Sequence, residues 1–360
     1  MVAAIRIGGR LACLIALLAG LPALADNPPR LSRGINITGW FRFPPNRDPA
    51  VLAGYLSDQA LADLRSAGFD FARLAIDPDL VAAPAAMAVL IRSIARIERT
   101  GLSVIVSPHP VTWHLETEPD RLRQFWRRLA PLLRRLDPAR TLPEVANEPV
   151  FADDPPAWAH LQHRILADVH AALPQATVVL TGADWGSIRG LLALTPEHDA
   201  HVLYSFHFYD PPELTALAAY RSGLDTTALA RLPFPAPEPA ACNTTVDATP
   251  DAPTRDMIRY YCALAWDEAA LRKRIGEATA WAQAHHVQLL AGEFGASSAL
   301  NAPARLAWFH VAQVAFDKAQ IPWALWGYDD VMGHDIARPP SSRPVLNPDV
   351  LRALGMTTGK

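Results

Sequence analysis

The sequence predicts an α/β protein with a single (β/α)8 barrel, and two observations carry this prediction. Eight short apolar runs, rich in β-branched and aromatic residues, alternate with segments of helical periodicity along the 360 residues, which is the pattern of repeated βα units. The alternative is an open, doubly wound sheet. Residues 34–39 lack the glycine spacing of a dinucleotide-binding loop after the first apolar run, which disfavours that alternative.

In chain order, the apolar runs define eight strands, and periodic segments between them define the helices. The predicted strands are 34–40, 69–76, 102–108, 141–146, 177–181, 201–209, 287–292 and 321–326. The predicted helices include 58–67, 84–100, 119–136, 155–173, 266–285 and 302–319. Several of them begin with proline or an acidic residue, which is the usual composition of a first helical turn.

The first 25 residues have the composition of a signal peptide. Arg6 and Arg10 precede the apolar run 11–21, and residues 23–25, Ala-Leu-Ala, have the small-x-small form of a cleavage site. The apolar run is too short to span a membrane. We therefore expect cleavage after Ala25, export to the periplasm or the medium, and a mature domain of residues 26–360 without a membrane anchor.

Charge and cofactor motifs narrow the range of partners. The chain has a net charge of −3, and removal of the signal peptide leaves 31 basic and 36 acidic residues, a net charge of −5. Nothing in this balance indicates binding to nucleic acid or to an anionic membrane, and a neutral partner fits better. The histidines lack metal-ligand spacing, so we expect neither a metal nor a cofactor. We expect a monomer.

Residues 210–263 interrupt the alternation and predict a long insertion after the sixth strand. The stretch is rich in proline, threonine and alanine, and it holds Cys242 and Cys262, the two cysteines that remain after the signal peptide. In an oxidising compartment such a pair forms one disulfide that closes a loop. Two free thiols are the alternative. We expect the insertion to overhang the top of the barrel.

Polar or aromatic side chains stand at the ends of most predicted strands. The carboxyl ends of barrel strands meet at one mouth, so these side chains are expected to converge on one pocket. They are Arg73, His109, Asn147, Glu148, His207, Tyr209, Glu293 and Trp326. Glu148 and Glu293, 145 residues apart, end the fourth and seventh strands, where an ionised carboxylate has little structural purpose.

An opposed pair of carboxyl groups is what cleavage of a glycosidic bond requires. One acid protonates the leaving oxygen, and one carboxylate meets the developing oxocarbenium charge. We predict that Glu148 is the acid/base and that Glu293 is the nucleophile, kept ionised by Arg73. A separation of about 5 to 5.5 Å between the carboxyl groups would make the reaction retaining.

Neighbouring side chains provide contacts for the sugar. Tyr209 can hydrogen-bond the nucleophile, and Asn147 can hold the sugar 2-hydroxyl. Trp326 offers an aromatic face for a pyranose ring, and Trp40, Trp113 and Trp185 are further candidates.

These motifs resemble glycoside hydrolase family 5, the cellulase family. Residues 147–149, Asn-Glu-Pro, match the acid/base motif of the family, and residues 292–295, Gly-Glu-Phe-Gly, match its nucleophile motif. Arg73, His109, the segment 207–209 and Trp326 fill the other recurrent positions in the expected order. The resemblance covers nearly the whole mature chain, from residue 33 to residue 328, and implies a retaining enzyme with its carboxylates on strands four and seven.

We expect an exported endo-β-1,4-glucanase whose substrate is a polysaccharide or oligosaccharide. Within the same family, a β-mannanase, a xyloglucan-cleaving enzyme and an exo-acting β-1,3-glucanase are alternatives, because loops and subsite tryptophans decide the linkage. A non-catalytic carbohydrate-binding barrel is an alternative from another class. It is disfavoured because binding alone does not require an opposed acid and nucleophile.

Overall fold

The computed structural model describes residues 31–151, 153–341 and 343–357. The predicted signal peptide therefore lies outside the described residues. None of the described helices combines the length and hydropathy that a membrane span requires.

Eight parallel strands form one sheet in the order β4-β3-β2-β1-β8-β7-β6-β5. A bridge between Glu144 and Val179 joins the two outermost strands and nearly closes the sheet into a barrel, which confirms the predicted (β/α)8 fold. The strands are β1 (Arg33–Phe41), β2 (Phe71–Ile76), β3 (Ser103–Pro108), β4 (Thr141–Pro143), β5 (Val178–Thr181), β6 (Val202–Phe208), β7 (Leu289–Phe294) and β8 (Trp323–Leu325).

Helices cover the outside of this barrel. They are α1 (Pro49–Gly54), α2 (Asp58–Ala67), α3 (Pro84–Arg99), α4 (Pro119–Leu133), α5 (Pro155–Ala172), α6 (Ile188–Leu192), α7 (Pro212–Thr215), α8 (Thr226–Leu229), α9 (Asn243–Asp247), α10 (Ala252–Ala263), α11 (Glu268–His285), α12 (Ala302–Lys318) and α13 (Pro348–Ala353), with a 3-10 helix at Pro239–Cys242. The side chains of Asp48, Ser57, Asp154, Asp267 and Asn301 cap the N-termini of helices α1, α2, α5, α11 and α12.

The interior of the barrel is apolar in its lower part and polar above. Alternate residues of the strands form a closed apolar cluster, namely Phe71, Ile105, Leu142, Val179, Leu203, Leu290 and Ala324. Arg73 lies two residues after Phe71 on β2, and Glu144 lies two residues after Leu142, just past the end of β4. Both side chains point to the same side as the apolar cluster, because successive side chains alternate in direction. The apolar cluster is thus a floor on which charged side chains are held near the mouth.

One irregularity in β7 decides where Glu293 points. Phe206 pairs with Ala291 but His207 pairs with Glu293, so Gly292 is an extra residue in the ladder. Leu290 faces the interior, and strict alternation would turn Glu293 outward. The bulge at Gly292 turns Glu293 inward instead.

The segment after β6 folds into short helices, and Cys242 and Cys262 form the predicted disulfide, with their Cα atoms 6.1 Å apart. The side chain of Asn301, at the start of α12, donates hydrogen bonds to the carbonyls of Ala230 and Leu232. The segment is therefore attached to the loop that follows β7, on the mouth side of the barrel.

Candidate active site

Glu148 and Glu293 face each other at the mouth of the barrel. One carboxylate oxygen of each and a ring nitrogen of His207 all lie within 4.8 Å of one another. The side chain of Glu293 is 4% exposed, whereas that of Glu148 is 29% exposed. The buried carboxylate is therefore suited to attack a bound group, and the accessible one to exchange a proton with solvent.

Arg73 is the central cation of the site and is fully buried. It forms a two-point ion pair with Glu144, with N–O distances of 2.6 and 2.8 Å, and donates to Oε1 of Glu293 at 2.6 Å. It also donates to the side-chain oxygens of Asn36 and Asn147, both at 2.9 Å. These contacts fix the guanidinium, and through it Glu293.

His207, Arg73 and Tyr209 lie around the carboxylate of Glu293 and affect its pKa. Burial raises the pKa of Glu293 above its ordinary value, while the charges of His207 and Arg73 and a hydrogen bond from Tyr209 oppose this effect. The Tyr209 hydroxyl donates to Oε2 at 2.8 Å. Burial and the neighbouring carboxylates raise the pKa of Tyr209, so Tyr209 remains a hydrogen-bond donor throughout the neutral range.

His207 lies between the two glutamates and gives the site a second proton carrier. Its Nδ1 is 2.9 Å from Oε1 of Glu148 and 3.4 Å from Oε2 of Glu293. Burial lowers the pKa of His207, but the two carboxylates outweigh burial and raise it above the ordinary value. Burial raises the pKa of Glu148, but the hydrogen bond and charge of His207, with the charges of Arg73 and Arg42, bring it below the ordinary value.

The directions of these two pKa shifts favour the proton on the imidazole of His207 over Glu148 in the free site, because the hydrogen bond between them stabilises the carboxylate. The role of Glu148 as acid/base stays a prediction. The strand-end pattern identified both residues but not this contact.

The site opens into a cavity of about 360 Å³. Its lining includes Arg42, His109, Trp113, Asn147, Glu148 and Trp185. The ring of His109 is buried and stacks on Trp326, with ring centroids 5.7 Å apart. Neither ring nitrogen of His109 has a hydrogen-bond partner among the described residues.

The candidate tryptophans differ in what they can contact. Trp185 lines the cavity and is 60% exposed, and Trp113 lines it with its indole N–H bonded to Asp79. Trp40 is a correction: its side chain is fully buried, stacks on Phe41 and Tyr55, and donates to the carbonyl of Leu52. It is a core residue and cannot offer a face to a ligand.

Two functional partners and one further cation were not identified among the predicted site residues. Glu144, which is fully buried, forms an ion pair with Arg73. Asn36 lies on β1. Its side-chain amide donates a hydrogen bond to the carbonyl of Gly292 at 3.0 Å and so holds the bulge next to Glu293. Arg42, at the end of β1, lines the cavity; the strand-end rule applied to β1 would have identified it.

A metal ion could find ligand atoms only at Glu148, His207 and Glu293 among the described residues. The oxygens of Glu293 already accept hydrogen bonds from Arg73 and Tyr209. The guanidinium of Arg73, 2.6 Å from Oε1 of Glu293, would also repel a divalent cation bound there. The arrangement fits proton transfer and nucleophilic attack better than metal ligation.

Comparison with known proteins places this site in a family. The family profile described as Cellulase (glycosyl hydrolase family 5) matches residues 38–330. Endoglucanase 3 of Fibrobacter succinogenes is 24% identical over 331 residues, covering 83% of this chain and 49% of that protein. Endoglucanase H of Acetivibrio thermocellus is 25% identical over 118 residues, covering 32% of this chain and 13% of that protein. The chain thus spans about half of the first relative and less of the second.

Solved structures share the fold. Cel5A of Thermotoga maritima in complex with mannotriose superposes with a TM-score of 0.71 at 20% identity, covering 90% of this chain and 97% of that one. Subunit Z of the Clostridioides difficile cellulose synthase superposes with a TM-score of 0.70 at 18% identity, covering 90% and 99%. At these identities the likeness shows the barrel alone.

Proposed function

The chain belongs to glycosyl hydrolase family 5 and is a glycosidase, and from this premise we propose that it is a retaining endo-β-1,4-glucanase. The observation that carries the proposal is the pair Glu148 and Glu293, whose nearest oxygens lie within 4.8 Å. Carboxyl groups about 5 to 5.5 Å apart favour attack by a carboxylate, whereas about 6.5 to 9.5 Å leaves room for a water molecule.

The reaction has two steps. Glu293 attacks the anomeric carbon and forms a glycosyl ester, while the carboxyl of Glu148 protonates the leaving glycosidic oxygen. Glu148 then takes a proton from water, the resulting hydroxide attacks the anomeric carbon, and Glu293 is released. His207, 2.9 Å from Glu148, holds the proton that Glu148 needs for the first step.

Two side chains beside the pair are suited to bind the sugar. Asn147 accepts a hydrogen bond from Arg73 through its side-chain oxygen, which leaves its amide N–H groups for the sugar 2-hydroxyl. This contact strengthens in the transition state. Trp185 provides an exposed aromatic face in the cavity for a pyranose ring.

The names of the relatives support a β-1,4-glucan as substrate. Two of them are endoglucanases, and the Cel5A structures include complexes with cellobiose. The complex of the same protein with mannotriose makes β-mannan the second candidate. A non-catalytic binding barrel is disfavoured because Arg73 and Tyr209 hold Glu293 in a geometry that binding alone does not need.

The test is hydrolysis of carboxymethyl cellulose, mixed-linkage glucan, mannan and laminarin, with product analysis. We expect Glu148→Gln and Glu293→Gln each to lose activity at least about a thousandfold, while Glu268→Gln, on the exposed face of α11, keeps it. The first product released should retain the β configuration in proton NMR. Wild-type turnover in either glutamine variant, or an inverted product, would contradict the proposal.

We also propose that the protein is exported after cleavage behind Ala25. The disulfide between Cys242 and Cys262 supports this, because disulfides persist in oxidising compartments. The measurement is the N-terminal mass of the protein recovered outside the cytoplasm, which should begin at Asp26. An intact N-terminus at Met1 would contradict export by this route.

A further inference from the structure

Arg42 is a cation in the active-site cavity that has no hydrogen-bond or ion-pair partner among the described residues. It follows β1 directly and lines the cavity together with Asn147 and Glu148. No hydrogen bond and no ion pair within 4.0 Å joins it to any described residue, and its Nε is buried. Burial lowers the pKa of Arg42, partly offset by the charges of Glu293 and Glu148. A half-buried guanidinium without a hydrogen-bond partner is unfavourable until a ligand supplies one.

Two other arginines that are not fully exposed differ from Arg42 in being paired. Arg121 also stacks on a tryptophan, with its guanidinium 4.4 Å from the ring of Trp113, but it is paired with Asp79 and Glu118. Arg73 uses every edge of its guanidinium for Glu144, Glu293 and two asparagines. Arg42 therefore differs from them in having donors left for a bound molecule.

Two aromatic rings fix the orientation of Arg42. Its guanidinium carbon lies 4.7 Å from the ring centroid of Phe43 and 5.8 Å from that of Trp326. These contacts engage the faces of the guanidinium and leave its N–H edges directed elsewhere. A planar fork of N–H donors held in this way matches the two oxygens of a carboxylate.

Glu116 also lines the cavity but lies beyond 4.0 Å from Arg42, and three further acidic side chains near Arg42 are engaged with other groups. Glu148 is bonded to His207, Glu293 to Arg73, and Asp330 is 3.4 Å from Arg338. None of these three carboxylates lies within 4.0 Å of Arg42. The charge of Arg42 is available to an acidic group that arrives with the substrate.

We propose that Arg42 forms a subsite for the carboxylate of an acidic sugar unit, so that the enzyme acts on a β-glycan that carries carboxylates. The proposal rests on the proposed function, since the glycan occupies the same cavity. The carboxylate can belong to a uronic acid or to an acidic substituent on a neutral sugar. Arg42 is a specificity-determining residue in this scheme and takes no part in bond cleavage.

Binding to the full-length Glu148→Gln variant, measured by calorimetry, tests the proposal without turnover. The probes are cellotetraose, cellotetraose oxidised at C6 to contain a glucuronate, and carboxymethylated cellotetraose. We expect at least one acidic probe to bind tenfold or more tightly than cellotetraose. Addition of Arg42→Gln should reduce that ratio at least tenfold, and Arg42→Lys should keep part of it. The probe that shows the ratio distinguishes a uronate from a substituent.

Arg47→Gln is the matched control, because Arg47 is 67% exposed and lies 3.4 Å from Asp77, and it should leave the ratio unchanged. Equal affinities of the acidic and neutral probes, or equal weakening of both by Arg42→Gln, would overturn the proposal. Failure of the proposed function has a different signature, which is the absence of hydrolysis of every glycan by the wild-type enzyme. The binding ratio remains measurable in that case.

Discussion

Nδ1 of His207 lies 2.9 Å from Oε1 of Glu148. The imidazole and the carboxylate therefore share one proton site, with Glu293 3.4 Å from the same nitrogen. Because the two carboxylates raise the pKa of His207, this cluster keeps a proton above the pH at which an isolated glutamate would lose it. The relationship links the pH range of the proposed reaction to a histidine.

Removal of His207 should change the pH profile on its basic side. In His207→Asn the proton must reside on Glu148 alone, whose ordinary pKa is 4.5, whereas the wild-type cluster includes an imidazole with a pKa above 6.5. We expect the basic limb of kcat/KM to move toward lower pH by about one unit or more. His310→Asn, on the exposed side of α12, is the control, and an unmoved basic limb in His207→Asn would contradict the shared proton.

Gly292→Ala should displace Glu293. A Cβ at this position would lie 2.3 Å from Oγ of Ser205, so the bulge that turns Glu293 inward has to shift. We expect kcat to fall about tenfold or more, with a lower melting temperature because overpacking a buried site destabilises it by about 1 to 3 kcal/mol. Ser205→Ala removes the obstructing oxygen, which has no hydrogen-bond partner among the described residues, so the double variant should recover most of the activity. Lack of recovery would mean that the glycine acts in another way.

Trp185 and Trp40 should respond oppositely to truncation. Trp185→Ala removes an exposed ring from the cavity and should raise KM for cello-oligosaccharides about tenfold at unchanged melting temperature. Trp40→Ala removes a fully buried ring and should lower the free energy of unfolding by about 3 to 5 kcal/mol. Kinetics and thermal unfolding of both variants provide the measurement. An unchanged KM in Trp185→Ala would exclude a role in binding these oligosaccharides.

His334 should make the fold sensitive to acid. Burial, with the charge of Arg305, lowers its pKa from 6.5 to about 3. Between these values the unfolded chain binds the proton and the folded protein does not, so stability falls as pH falls from 6.5 toward 3. The slope from this group approaches about 1.4 kcal/mol per pH unit.

His334→Gln should flatten this slope in urea unfolding between pH 5 and 7.5. His109, whose pKa burial also lowers, adds to the wild-type slope in the same direction. His207, with a raised pKa, acts in the opposite direction, since its stabilisation is present below pH 6.5 and is lost as pH rises above it. An unchanged slope in His334→Gln would show that His334 is not kept neutral by the fold.

Much of the architecture followed from local patterns. The helix predicted at 58–67 is present as Asp58–Ala67, and each of the eight predicted strands is found, because apolar alternation and capping residues act within a few positions of the chain. The strand predicted at 141–146 is regular only to Pro143, although Glu144 still donates to the carbonyl of Val106 and pairs with Val179. The disulfide between Cys242 and Cys262 was predictable because these are the two cysteines that remain after the signal peptide.

The sequence by itself determined the barrel, the strand ends and the identity of the two facing glutamates, because these depend on residue type and spacing. Only the tertiary structure decided that Arg73 joins Glu144 to Glu293, that Trp40 is buried, and that His207 lies 2.9 Å from Glu148. These properties depend on distances of a few ångströms between side chains far apart in the chain, and on burial, which strengthens each charge interaction. Spacing along the sequence does not contain either quantity.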